Sequence, residues 1–319
     1  MILYTVDTGF LPLACISIAS MVAHCSGKPP ALMILLHDVD QPSRDSASSF
    51  LSKLGLDYEL VDVETSWCQP WCARRGQSPA KFGYLKMQDF IHPSVDRVVV
   101  VDADTRFVDD VSKLFDADLQ GKVLGAVDDT AVIATGQVHD LRRKLRLKEH
   151  AGYLNSGLLV VDLEAWTDHN IATACVRVFT DEPDILTFND QCALNGVLSG
   201  EYARLPLRWN CLYGSVPGDW PIAMYHYAGS FKPWSMGLLK NVPYFRDMLG
   251  KDHVNFYRQA NNQLNWHDRG LDNWEIAETL KALFLFSKMG LSGRLEKYSN
   301  RKSSPALLEF AAAHRHLIL

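Results

Sequence analysis

Apolar and polar positions alternate in blocks through the first two thirds of the chain. Short apolar runs at residues 2–6, 31–36, 58–63 and 97–101 predict strands. Between them, residues 13–24, 43–54 and 80–91 carry apolar or small side chains at helical intervals and predict helices. Further strands are expected at 122–127, 157–162 and 222–226, and further helices at 163–179 and 189–198. Strands alternating with helices need crossover connections. The expected fold is therefore α/β, with a mostly parallel central sheet and helices on both faces. The run Val98 to Val101 agrees, because an uninterrupted apolar strand must be covered on both faces. Residues 65–79 hold Trp67, Pro70, Trp71, Arg74, Arg75 and Pro79 without a clear period and predict a surface loop or lid. From Asn241 onward the pattern turns helical and the strands stop. The chain thus divides into a body, 1–240, and a helical C-terminal extension, 241–319.

Composition narrows the picture modestly. With 319 residues, 47% hydrophobic and 22% charged, the chain is an ordinary globular one with a sizeable core. A net charge of −5 argues against general nucleic-acid binding. From Lys240 on there are 12 basic and 8 acidic residues, so a mildly basic tail follows an acidic body. That tail suits peripheral membrane contact, and a plain helical cap explains it at least as well. The cluster Arg142, Arg143, Lys144, Arg146 and Lys148 is read as a solvated helix face, with contact to an anionic acceptor the sharper alternative. Seven scattered cysteines, including the pair Cys68 and Cys72, fit no complete disulfide framework and are expected as free thiols. The chain opens without a signal-peptide pattern, and no apolar stretch reaches the length of a membrane span. A cytoplasmic location is expected, with peripheral attachment at the inner membrane face as an option.

The chemistry collects at strand ends. Asp102-Ala103-Asp104 closes the valine run at the edge where open α/β sheets bind ligands. Two carboxylates one residue apart can reach one hard divalent cation, and such a cation keeps room for substrate phosphates. The same residues also serve as turn formers or helix caps. His226 follows another apolar strand; an imidazole added to two carboxylates suits manganese better than calcium. Lys232 beyond it would act on phosphates as a point charge, and Gly229 would let the loop fold over them. Asp7-Thr8-Gly9 ends the first strand, where Asp7 suits a base or ribose hydroxyl and a simple β–α turn equally well. Asn155, in Tyr153-Leu154-Asn155-Ser156-Gly157, offers donors and acceptors that suit sugar hydroxyls or a loop. Asp190 and Gln191 stand at a predicted helix start, where an Asp is often only an N-cap.

Taken in order, four segments resemble glycosyltransferase family 8, the retaining transferases that include lipopolysaccharide glucosyl- and galactosyltransferases and the glycogenins. They are VVVVDAD at 98–104, YLNSGLLVVDLEAW at 153–166, FNDQCALNGVL at 188–198 and HYAGSFKPW at 226–234. The resemblance spans roughly residues 1–240. It implies a GT-A type nucleotide-sugar-binding fold, manganese or magnesium as cofactor, and UDP-glucose or UDP-galactose as donor. It implies Asp102, Asp104 and His226 as metal ligands. Donor contacts would come from Asp7, Thr8, Asp102, Ala103, Asp104, Asn155, Gly229 and Lys232. Gln191 and Asp190 would face the transferred sugar as the catalytic pair. Asp128 and Asp129 fall where the family often has a carboxylate near donor or acceptor. One position departs: the family's Tyr-x-Arg-Leu segment reads Phe82-Gly83-Tyr84-Leu85 here. Tyr84 stands where an arginine is expected, unless Lys81 or Lys86 substitutes.

The expected activity is hexosyl transfer with retention from a UDP-sugar to a saccharide acceptor. The Gln191 carbonyl is one candidate to stabilise the oxocarbenium-like centre, and Asp190 is the nearer carboxylate for a double displacement. Two other readings stand beside it. A catalytically weak or inactive nucleotide-sugar-binding protein is favoured by Tyr84. A nucleotidyltransferase ranks last, because Asp7-Thr8-Gly9-Phe10 lacks a glycine-rich basic loop.

Overall fold

The computed structural model describes residues 1–212, 220–228, 232–234, 252–253, 255–257 and 259. The elements run β1 (Ile2–Val6), α1 (Leu11–Val22), β2 (Leu32–Leu36), α2 (Gln41–Lys53), β3 (Tyr58–Asp62) and α3 (Gln69–Arg75). A 3-10 helix, Pro79–Asp89, leads to β4 (Arg97–Val101), β5 (Thr105–Phe107), β6 (Leu124–Asp128), α4 (Thr130–Ala134) and α5 (Gln137–Lys144). Then come β7 (Leu154–Asp162), α6 (Leu163–Asp168), α7 (Ile171–Asp181), α8 (Asn189–Leu198), β8 (Ala203–Arg204), β9 (Cys211–Leu212) and β10 (Met224–His226).

Seven strands form one sheet in the order β3-β2-β1-β4-β7-β6-β8. The half β3-β2-β1-β4 is parallel, while β7 runs antiparallel to both β4 and β6. Val98 to Val101 are all 2% exposed or less, as an uninterrupted apolar run requires. Strand order reverses between β1 and β4, which opens a crevice beyond their C-terminal ends. Asp7 follows β1 and Asp102 follows β4, so both acidic loops lie at that reversal. A second sheet, β5-β10-β9, has His226 as the last residue of its middle strand.

Two stretches differ from the sequence expectation. Residues 65–79 are helical over Ser66–Cys68 and Gln69–Arg75, not a loop. Trp71 and Cys72 are buried there, and the Trp67 and Trp71 rings pack edge-on against Phe179 at 5.5 and 5.2 Å. Phe82 joins the cluster 4.9 Å from Phe179. Seven residues are too short for a helical period to register, so the aromatic positions read as irregular. The helix expected over 163–179 is broken into α6 and α7 by Asn170, whose φ of 53° is left-handed. Asn tolerates that conformation better than most residues. The segment 80–91 is helical as expected, but wound as a 3-10 helix with a kink at Lys86.

The chain divides into two compact units. Among described residues the first holds Met1–Cys211 and Pro221–Tyr225. The second begins its return at His226. Within it, Tyr227 meets Trp234, His253 and Tyr257 edge-on at 5.7, 5.5 and 5.4 Å. Its hydroxyl also hydrogen-bonds His253 Nδ1. The boundary drawn at residue 240, and nearly all of the extension 241–319, lie outside the described residues. Among the described residues no helix is long and apolar enough to cross a membrane.

Candidate active site

The acidic turn is built by its own backbone. Asp102 N–H donates to the Gly157 carbonyl at 3.0 Å, and Thr105 Oγ1 donates to the Asp102 carbonyl at 2.8 Å. Thr105 is buried and continues inward through Ser17 and Tyr4 at 2.7 and 2.9 Å. Ala103, 6% exposed, is small enough to be packed away between two half-buried carboxylates. His226 is buried at the end of β10, whose first two residues belong to the first unit. One ligand atom from each of Asp102, Asp104 and His226 lies within 4.8 Å of the others. Two hard oxygens and one imidazole nitrogen in that space suit a divalent cation.

Asp7 does the work of a turn. Its Oδ1 accepts the Phe10 N–H at 3.0 Å and its Oδ2 accepts the Ser78 hydroxyl at 2.6 Å. Thr8 Oγ1 donates to the Asp38 carbonyl at 3.0 Å. Phe10 beside them is 45% exposed, an apolar ring that the sequence reading passed over.

Gln191 and Asn155 meet in a buried polar network whose centre is Asp129. Asp129 Oδ2 accepts from Asn155 Nδ2 and Gln191 Nε2, both at 3.0 Å. Its Oδ1 caps α4 through Val132 N–H at 2.9 Å. Asn155 Oδ1 accepts from Gly157 N–H and Asn210 Nδ2, each at 2.9 Å. Gln191 Oε1 accepts the Ser156 N–H at 3.3 Å. Both amides are therefore oriented by the carboxylate, nitrogen toward Asp129 and oxygen away from it. The neighbouring Asp128 is elsewhere engaged, with Tyr202 and Arg204. Sequence reasoning passed over Ser78 and Asn210, and the resemblance marks Asp129 only as a carboxylate near donor or acceptor.

Asp190 is buried and accepts the Tyr84 hydroxyl at 2.7 Å. Burial raises its carboxyl above the ordinary range, opposed by the Tyr84 hydrogen bond and the charge of Lys81. Tyr84, wholly buried next to a carboxylate, stays a phenol. Lys81 is half-buried; burial lowers its ammonium, while Asp190 and Asp102 pull it the other way. Lys86 turns aside, its Nζ 5.8 Å from the Trp67 ring centre. Lys232 donates to the Tyr227 carbonyl and lies 5.7 Å from the Trp234 ring centre. Gly229 lies outside the described residues.

Residues 1–236 match the sequence profile of glycosyl transferase family 8. General stress protein A of Bacillus subtilis is 27% identical over 57% of this chain and 68% of its own. The lipopolysaccharide 1,2-glucosyltransferase of Escherichia coli is 22% identical over 77% of this chain and 76% of its own. The lipopolysaccharide 1,3-galactosyltransferase of Salmonella typhimurium is 23% identical over 76% of each. Among solved structures, the galactosyltransferase LgtC with donor and acceptor sugar analogs superimposes with a TM-score of 0.68. It is 20% identical over 85% of this chain and 99% of its own, a likeness that speaks for the fold.

Proposed function

The chain belongs to glycosyl transferase family 8, and from that premise we propose that it transfers glucose or galactose, with retention, from a UDP-sugar to a saccharide acceptor. The observation that carries this reading is the convergence of Asp102, Asp104 and His226 at the sheet's reversal. A divalent cation bound there would neutralise charge building on the leaving diphosphate. The protein's own residues do the rest. Gln191 presents an amide oxygen whose direction Asp129 fixes, and an oxygen dipole near the anomeric carbon stabilises positive charge there. Asp190 is buried and hydrogen-bonded to Tyr84, which makes it a poor nucleophile and favours direct attack by the acceptor from the face the diphosphate leaves. Lys232 and Gly229 belong to the same reading as the diphosphate clamp, Asp7 and Thr8 as contacts to the nucleoside, and Asn155 as a support near the sugar.

A donor panel with manganese, scored by release of UDP with and without saccharide acceptors, tests the reading. Turnover with one UDP-hexose, lost by about a hundredfold or more in Asp102→Asn, is the expected result. Unchanged turnover in that variant refutes the assignment. Tyr84 in the arginine position favours a second reading, a nucleotide-sugar binder without turnover; binding with no UDP release from any donor would establish it.

A further inference from the structure

We propose that Lys81 supplies a positive charge that meets the donor diphosphate. The inference rests on the function proposed above and deepens it. Position 84 cannot do this itself. Tyr84 is buried, and its hydroxyl is committed to Asp190 at 2.7 Å. Beside Lys232, the 3-10 helix offers two further lysines. Both ammonium groups lie near a ring, Lys81 5.1 Å from that of Phe82 and Lys86 5.8 Å from that of Trp67, but Lys86 sits at the kink itself. Lys81 stands three residues before Tyr84, and in a 3-10 helix positions three apart share one face. The same two carboxylates act on it: Asp190, which Tyr84 holds, and Asp102 of the acidic turn.

The place of Lys81 is fixed by three ties between its helix and β1. Ser78 Oγ donates to Asp7 Oδ2 at 2.6 Å, and Thr5 Oγ1 donates to the Ala80 carbonyl at 2.5 Å. Gly83 approaches so closely that a Cβ there would lie 2.7 Å from Thr5 Oγ1. The backbone at Lys81 is thus held beside the end of β1, the strand that neighbours β4 in the sheet. The Lys81 ammonium accepts no fixed bidentate geometry and donates at present to Gln77 Oε1 at 2.5 Å. A four-carbon stem lets it move to a phosphate oxygen as a point charge. Once a divalent cation offsets Asp102, the remaining positive charge of Lys81 is directed at the anionic ligand. Two tasks that one guanidinium could perform are divided here: Tyr84 holds Asp190, and Lys81 brings the charge.

The test compares binding of UDP and uridine to the full chain by calorimetry, with manganese present. Wild type should bind UDP more tightly than uridine. Lys81→Met should weaken UDP by about tenfold or more and leave uridine unchanged, since only UDP carries the charge Lys81 meets. Lys81→Arg should retain most of the UDP affinity, and Lys86→Met should match wild type. A Lys81→Met protein with the wild-type ratio of UDP to uridine affinity overturns the proposal, as does an equal loss in Lys86→Met. Equal weakening of both ligands in Lys81→Met also overturns it, by making the residue structural. Wild type that binds neither ligand overturns the proposed function itself.

Discussion

Asp129 Oδ2 and Gln191 Nε2 are 3.0 Å apart, in a site where Gln191 is 7% exposed. A carboxylate accepts and cannot donate, so it dictates which end of the amide turns toward it. The Gln191 oxygen is thereby kept facing away. Replacing Asp129 with Asn puts an amide among two amide donors, and at least one of the three must turn round. Asp129→Asn should keep most of its stability, because an Asn oxygen still caps Val132 N–H. Its kcat should fall by about a hundredfold if Gln191 acts through its oxygen. Steady-state kinetics beside a melting curve checks this; a fall in Tm with kcat intact contradicts it.

The bond between Tyr84 and Asp190 makes a pH-dependent prediction. Burial raises the Asp190 carboxyl above the ordinary value of 3.8. A raised carboxyl means the folded chain holds the proton more tightly than the unfolded chain, so its contribution to stability declines as pH rises through that interval. Tyr84→Phe removes a hydrogen bond to the charged form and raises the carboxyl further. The variant should lose about 1–3 kcal/mol at pH values where Asp190 is charged, and less as pH falls and the carboxyl takes up its proton. Urea unfolding of both proteins across that range measures the difference. A deficit that grows toward acid pH would show that the bond does not hold the charged carboxylate.

Much of this was written in the chain, for identifiable reasons. The valine run and the Asp102–Asp104 turn are local features: an apolar strand buried on both faces, then carboxylates at its end. Their meeting with His226 is not local, since 122 residues separate Asp104 from it. It was legible only through the ordered motifs. The helix Gln69–Arg75 was hidden because its buried residues are one tryptophan, Trp71, and one cysteine, Cys72, rather than a periodic aliphatic stripe. The antiparallel course of β7 was hidden too, because a strand covered on both faces reads alike in either direction. The resemblance marks Asp129 as a carboxylate near donor or acceptor, but its hold on Gln191 was hidden because the two lie 62 residues apart. The departure at Tyr84 was visible as a substitution, but its partner, Asp190, lies 106 residues away.

The metal ligands lend themselves to a test that needs no substrate. A cation that binds only the folded chain stabilises it by mass action, about 2.7 kcal/mol at a hundred times its Kd. Manganese should therefore raise the Tm of wild type, and a chelator should reverse the shift. Asp102→Asn, Asp104→Asn and His226→Ala should each shrink the shift, because each removes either the charge of a carboxylate ligand or the imidazole nitrogen. Differential scanning fluorimetry over a manganese titration provides the readout. An undiminished shift in all three variants would place the ion elsewhere.

Gly83 links packing to function. A methyl group there would lie 2.7 Å from Thr5 Oγ1 on β1 and 3.0 Å from Val63 Cγ2, just past the end of β3. Neither neighbour is free to yield: Thr5 is tied to the Ala80 carbonyl, and Val63 is 8% exposed. Gly83→Ala must then push the 3-10 helix away from β1, at a cost of about 1–3 kcal/mol for an overpacked contact. The displacement should pull Ser78 from Asp7 and carry Lys81 and Tyr84 with it. Donor KM should rise even at temperatures where the variant is fully folded. The companion Gly76→Ala sets the control. Gly76 ends α3 at a φ of 60° with no atom within 4 Å of an added Cβ, so its cost is backbone strain alone. Gly76→Ala should lower Tm while donor KM holds. If Gly83→Ala lowers Tm without changing donor KM, the position of this helix does not matter to the ligand.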